Sequence, residues 1–166
     1  SNQQIKIEEN SMIRKFREND LDNIMSLWLT ANIEAHSFID ESYWKNHYDF
    51  VKEMIPKAEV FVSESDGTIN GFIGLIDHNI AGIFVKNSKR SKGIGTELLN
   101  VIKCKRETLH LHVYKHNRRA ILFYQNAGFE ITAEEIDIDT SEVEYLMTWH
   151  QSSLNSKPTT SDKNIS

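Results

Sequence analysis

The chain has 166 residues, 39% hydrophobic and 26% charged, which is enough for one domain with a core and little beyond it. A single cysteine, Cys104, excludes an intrachain disulfide and a multi-cysteine metal centre, and no run approaches the roughly 20 apolar residues of a membrane span. The net charge of -5 argues against a nucleic-acid binder, yet between Lys86 and Arg119 ten Lys/Arg face only Glu97 and Glu107, a window of +8 in a remainder of -13. Such a basic face suits a small anionic ligand, and equally a chance cluster of solvated charges. With no basic-then-apolar leader, the reading is a cytoplasmic protein without membrane attachment.

Residues 1–11 are polar and aperiodic and read as a flexible extension, 12–150 as the folded domain, and 151–166, rich in Ser, Thr, Asn and Lys, as a disordered tail. Residues 12–16 predict a strand. Asp20 reads as an N-cap for a helix with Leu21, Ile24, Trp28, Ala31 and Ala35 on one face. A second helix carries Trp44, Tyr48, Val51 and Ile55 and ends at Pro56. Residues 59–64 alternate as a strand, Asp66-Gly67 marks a hairpin, and 69–77 and 80–86 predict two further strands. A helix over 95–105, a strand over 109–114, a helix over 118–126 closed by Gly128, and strands near 129–136 and 143–149 complete the chain. The order β-α-α-β-β-β-α-β-α-β-β implies one α/β (α+β) domain, a mixed, mostly antiparallel sheet with helices on its faces.

The densest chemical signal lies where a strand (Ile83, Phe84, Val85) runs into a basic turn and a helix: Arg90-Ser91-Lys92-Gly93-Ile94-Gly95, then Thr96. Glycines allow close backbone approach, and the first N–H groups of the helix, free of internal partners and at the positive end of its dipole, suit phosphate. A P-loop is absent, and a dinucleotide fingerprint fails because Leu98 stands three places after Gly95. The pattern present is R-x-x-G-x-G. A tight strand-to-helix connection alone would also account for it.

The second signal is Asn117, placed to cap a helix whose Ala120, Phe123, Tyr124 and Ala127 share a face before Gly128-Phe129. In this combination the chain resembles the GCN5-related N-acetyltransferase superfamily, over roughly residues 59–149. The resemblance implies acetyl-CoA as co-substrate, an amine acceptor, direct attack on the thioester, and no metal. It implies that Ile83, Phe84 and Val85 pair with the pantetheine arm, and that the backbone from Arg90 through Ser91, Lys92, Gly93, Ile94 and Gly95 to Thr96 holds the pyrophosphate. It gives Asn117 a pantetheine contact and makes Tyr124 the general acid for the departing thiolate. Asn87 departs from the proline common at that place and alters the stiffness of the turn, not its chemistry.

A protonated amine must lose a proton before it attacks. His112 stands where ribosomal-protein acetyltransferases similar to this chain carry a glutamate, and alternation places it beside His110 and Tyr114, opposite Leu111 and Val113. A packing histidine with ordered water as base is the other reading; His36, His78 and Glu64 follow. Cys104 reads as a structural thiol. The acceptor pocket is expected from Trp28, His36, Phe38, Trp44, Tyr48 and the acidic 134–144 segment, which suits a cation or is simply solvated. A non-catalytic acyl-CoA sensor and a nucleic-acid binder are the rival readings, and the chain is read as a monomer or a homodimer paired through an exposed edge strand.

Overall fold

A computed structural model describes residues 11–152, so the extension and the tail read from the sequence lie almost wholly outside the described residues; Ser11 itself opens the first strand. In chain order the elements are β1 (Ser11–Lys15), α1 (Leu21–Ala35), α2 (Glu41–Met54), β2 (Glu59–Ser65), β3 (Thr68–Ile76), β4 (Asn79–Val85), α3 (Ile94–Lys103), β5 (Thr108–Tyr114), α4 (Arg118–Asn126), β6 (Glu130–Ile136) and β7 (Val143–His150). The strands form one sheet in the order β1-β2-β3-β4-β5-β7-β6, antiparallel throughout except for β4 beside β5.

Local chemistry sets the element boundaries. Asp40 opens α2 by accepting the Ser42 N–H at 2.9 Å, and Asn117 opens α4 by accepting the Ala120 N–H at 3.3 Å. Asp20 stands at the N-cap position of α1, as the sequence suggested, but its side chain makes no capping bond there. It is buried and accepts the Arg17 N–H at 2.7 Å and a forked bond from the Arg14 guanidinium at 2.9 and 3.0 Å. A forked bond between two opposite charges outcompetes a capping bond to a backbone N–H, and it locks β1 to the start of α1. The guanidinium, followed by the Arg17 N–H, holds the Asp20 carboxyl below the usual carboxylate range.

Each sheet face carries its own core. On one, Ile24, Met25, Trp28 and Trp44 of α1 and α2 cover Val60, Val62 and Phe72. On the other, α3 and α4 cover Ile73, Leu109, Leu111 and Met147. Leu98, Leu99 and Ile102 of α3 are at most 1% exposed. Burial stabilises by about 2 kcal/mol for each such side chain, against tenths for intrinsic helix propensity, so packing decides where α3 lies.

The sheet is nearly divided in two. Among the described residues, β4 and β5 share the single register pair Asn79↔His110, backed by the His110 N–H bonding the His78 carbonyl at 2.9 Å. Ala81 is an extra residue in β4, where Gly82 pairs with Gly74 and Ile80 with Leu75. Beyond it, β4 stays paired with β3 up to Val85 and β5 with β7 up to Tyr114, so the C-terminal ends of the two parallel strands part.

Candidate active site

The parting opens a cleft of about 340 Å³ between the end of α1, the last residues of β4, the turn before α3 and the first turns of α4. It gathers nearly all the residues that the sequence singled out. Ile83, Phe84 and Val85 form one wall, half-buried; Arg90, Ser91, Gly93, Ile94, Gly95 and Thr96 form the rim, and Asn117 and Tyr124 line the side given by α4. Lys92 is exposed and does not line the cleft, although its backbone belongs to the same turn.

The turn is built for close approach. A short 3-10 segment, Asn87–Lys89, follows β4, whose end is held by the Lys86 N–H bonding the Asn70 carbonyl at 2.8 Å. Ser91 and Gly93 then take left-handed conformations, φ 66° and 87°, and α3 starts directly after Gly93, one residue before the predicted start. A Cβ on Gly93 would meet nothing within 4 Å, so the backbone there faces open space. Gly95 serves the packing instead: a Cβ on it would stand 3.2 Å from Phe123 Cζ, so the missing side chain lets α3 lie close against α4.

Tyr124 is 7% exposed, packed against Phe123 and Phe129 with ring centroids 5.3 and 5.5 Å away. Burial pushes its phenol above the ordinary tyrosine range, so it stays protonated at neutral pH. His112 is not brought to it. Leu111 and Val113 pack in the core that contains Tyr124, whereas His112 emerges on the opposite face, exposed and outside the cleft lining, as the strict alternation of β5 requires. There its Nε2 lies 3.9 Å from Glu135 Oε1, and His112, Glu135 and Glu144 bring one ring nitrogen and two carboxylates within 4.8 Å of one another. Burial, then nearby Asp137 and Glu135, holds the Glu144 carboxyl above its usual range, opposed by His112.

Other expectations are corrected. Of the residues expected around the acceptor, only His36 lines this cleft; Trp28 and Trp44, 7% and 8% exposed, belong to the core beside it. Cys104 is exposed at the C-cap of α3, not packed in its apolar face. Glu64 is engaged by Arg14 at 2.5 Å and His78 sits exposed in the β3–β4 turn, so neither reaches the cleft. Sequence reasoning missed Asn32 and Arg119 as lining residues. The signal for Arg119 was its place in the first turn after the Asn117 cap; Asn32 gave none, since a polar residue on the inner face of α1 reads as a register fault.

Charge is segregated. The charged side chains that line the cleft are Lys89, Arg90 and Arg119, with no carboxylate beside them. The acids stand beyond it on β6, β7 and their connection, where Tyr114 donates its hydroxyl to Asp137 at 2.5 Å and Glu135 lies directly opposite Glu144. One edge of the site attracts anions and the neighbouring edge attracts cations.

A helix that opens on a basic glycine turn, at the gap between two parting parallel strands, with a buried phenol facing the gap, describes an enzyme that takes an acyl group from a coenzyme A thioester. The family described as Acetyltransferase (GNAT) domain matches residues 56–131, and the chain belongs to it, as an acetyl-CoA-dependent N-acetyltransferase. It is 31% identical over 140 residues to the peptidyl-lysine N-acetyltransferase YiaC of Escherichia coli (strain K12), covering 83% of this chain and 96% of that protein. Its fold is that of apo YjaB from Escherichia coli, with a TM-score of 0.75 at 21% identity over 86% of this chain and 99% of the other. The PaiA N-acetyltransferase of Thermoplasma acidophilum, solved in complex with coenzyme A, aligns with a TM-score of 0.69 at 20% identity over 84% and 98%. No helix among the described residues is long and apolar enough to cross a membrane.

Proposed function

We propose that the protein transfers the acetyl group of acetyl-CoA to the side-chain amine of a lysine in a peptide or protein. The observation that carries this is the cleft itself, in which the half-buried free edge of β4, the unobstructed backbone at Gly93 and the buried Tyr124 line one continuous space. Acetyl-CoA fits the residues present: Ile83, Phe84 and Val85 would offer backbone groups to the pantetheine arm, the N–H groups from Arg90 to Thr96 would hold the pyrophosphate, and Lys89, Arg90 and Arg119 add charge. Asn117 would meet the pantetheine beside its capping bond. YiaC acts, by its name, on peptidyl lysine, and the acidic edge of Glu135, Asp137 and Glu144 suits a cationic acceptor here.

In the reaction the arriving ammonium first gives up one proton; the amine nitrogen then bonds the acetyl carbon as the carbon–sulfur bond breaks, and the second proton it loses restores the one Tyr124 has passed to the sulfur. Tyr124 supplies the proton to sulfur. The first proton leaves through water on the acceptor side, where His112 stands exposed beside Glu135 and outside the cleft lining.

Calorimetric titration with acetyl-CoA, followed by thiol release with a lysine peptide, tests this reading. The expected result is one-to-one binding in the micromolar range and turnover abolished when the lysine is replaced by norleucine. Binding without turnover on any lysine peptide would refute the acceptor; no binding would refute the site.

A further inference from the structure

His36 immediately follows α1, is 9% exposed, and lines the cleft. Its Nδ1 lies 2.9 Å from the Asn32 carbonyl oxygen, which can only accept, so Nδ1 carries the hydrogen. Its Nε2 lies 3.3 Å from Asn117 Nδ2. Asn117 is oriented independently, because its Oδ1 accepts the Ala120 N–H; its amide therefore donates, and Nε2 presents a lone pair. Two unrelated partners thus specify the same neutral tautomer. The two residues stand 81 positions apart, on the helices of opposite sheet faces, and their bond crosses the gap where β4 and β5 part.

We propose that His36 is a positioning residue for acetyl transfer: held as the Nδ1–H tautomer by Asn32, it anchors Asn117 and so fixes the start of the helix that carries Tyr124. The inference rests on the acetyl-CoA reading of the cleft. Around the ring, Trp44 of α2 stacks at 4.9 Å and 27°, Phe38 stands edge-on at 5.6 Å, and Tyr114 of β5 edge-on at 5.4 Å. None of these offsets a positive charge by ion pairing. The Tyr114 phenol is kept protonated by burial and by Asp137, and the Tyr43 phenol, next to Trp44, is likewise held up by burial. The ionised groups that line the cleft with His36 are the cations Lys89, Arg90 and Arg119.

A second proton on Nε2 would set an N–H donor against the Asn117 amide and break the anchor. Burial draws the His36 pKa below its ordinary value, which favours the neutral ring. The sign follows. The unfolded chain binds this proton more readily, so the anchor contributes fully above about pH 6.5 and is lost as pH falls through the lower folded value.

Two measurements decide the proposal. Imidazole 15N spectra of the full chain, which need no substrate, should show Nδ1 as the protonated nitrogen and Nε2 as the bare one at pH 7.5; the reverse tautomer would overturn it. Saturated turnover is then compared for His36→Phe, which keeps the ring stack and loses both bonds, and His36→Gln, whose carbonyl can still accept from Asn117. The Phe variant should lose about tenfold or more in kcat, with acetyl-CoA affinity within about threefold, as for a displaced reacting group. The Gln variant should keep most of the turnover and lose the part of the wild-type acid limb that follows the lowered His36 value, below the ordinary histidine range. Wild-type turnover in the Phe variant, or an unaltered acid limb in the Gln variant, would sink the idea. Wild-type protein that binds no acetyl-CoA would instead bring down the underlying site reading, and the nitrogen spectra keep the two failures apart.

Discussion

A phenol buried among Phe123 and Phe129 contributes to packing through its ring and to chemistry only through its hydroxyl. Removal of that one oxygen separates the roles. Tyr124→Phe is expected to keep the thermal midpoint and the acetyl-CoA affinity of the parent while kcat falls about 100-fold or more, the usual weight of a positioned acid. Single-turnover thiol release would measure it, and an unchanged rate would take Tyr124 out of the reaction. Residues such as Tyr124 and Asn117 are legible from sequence because their signals are local: a cap, a helical period and a terminating Gly128 within a dozen positions. His36 was only a minor candidate because its defining partner lies 81 residues away. His112 was placed on the correct side of its strand by alternation, but the twofold period does not say which side Tyr124 reaches from.

At the scale of elements, the turn before α3 unites two demands on the backbone. Left-handed φ at Ser91 and Gly93 bends the chain, and the open space over Gly93 leaves the first turn of α3 accessible. Gly93→Val brings a β-branched residue into φ 87° and a side chain into the proposed phosphate path. Acetyl-CoA affinity measured by titration should fall at least about tenfold, while backbone strain accounts for only about 1–3 kcal/mol of folding stability. Retained affinity would move the pyrophosphate elsewhere. The elements themselves were well foreshadowed, since amphipathic periods and the Asp66-Gly67 turn are strong local signals. Asp20 stands at the expected N-cap, but its carboxylate bonds elsewhere. A cap reads as the nearest use for an aspartate before a helix, but Arg14, brought in by the β1–β2 pairing, is a stronger partner than any backbone N–H.

For the molecule as a whole, the net charge conceals a polarised site, cationic in the cleft and anionic along β6 and β7. The two edges should respond separately. Glu135→Lys with Glu144→Lys is expected to raise the KM for a lysine peptide several-fold, most strongly at low ionic strength where screening is weak, and to leave the Kd for acetyl-CoA within a factor of two. Parallel peptide kinetics and acetyl-CoA titrations at two salt concentrations check this; an equal effect on both ligands would mean that the field is not divided. The division itself was partly readable as a basic window in an acidic chain, whereas the side of the fold on which the acids fall depends on strand order, which no local pattern states.

The single rung between β4 and β5 also bears on how the protein holds together. The halves β1–β4 and β5–β7 share helices but almost no ladder, so the backbone groups along Ile83, Phe84 and Val85 face a missing neighbour. On the proposed placement, the pantetheine arm is that neighbour: a borrowed strand that arrives with each catalytic cycle and leaves with the product. Occupancy at one hundred times Kd would add about 2.7 kcal/mol to folding stability. The enzyme is then least complete between turnovers, when its sheet has an interior edge and no partner for it.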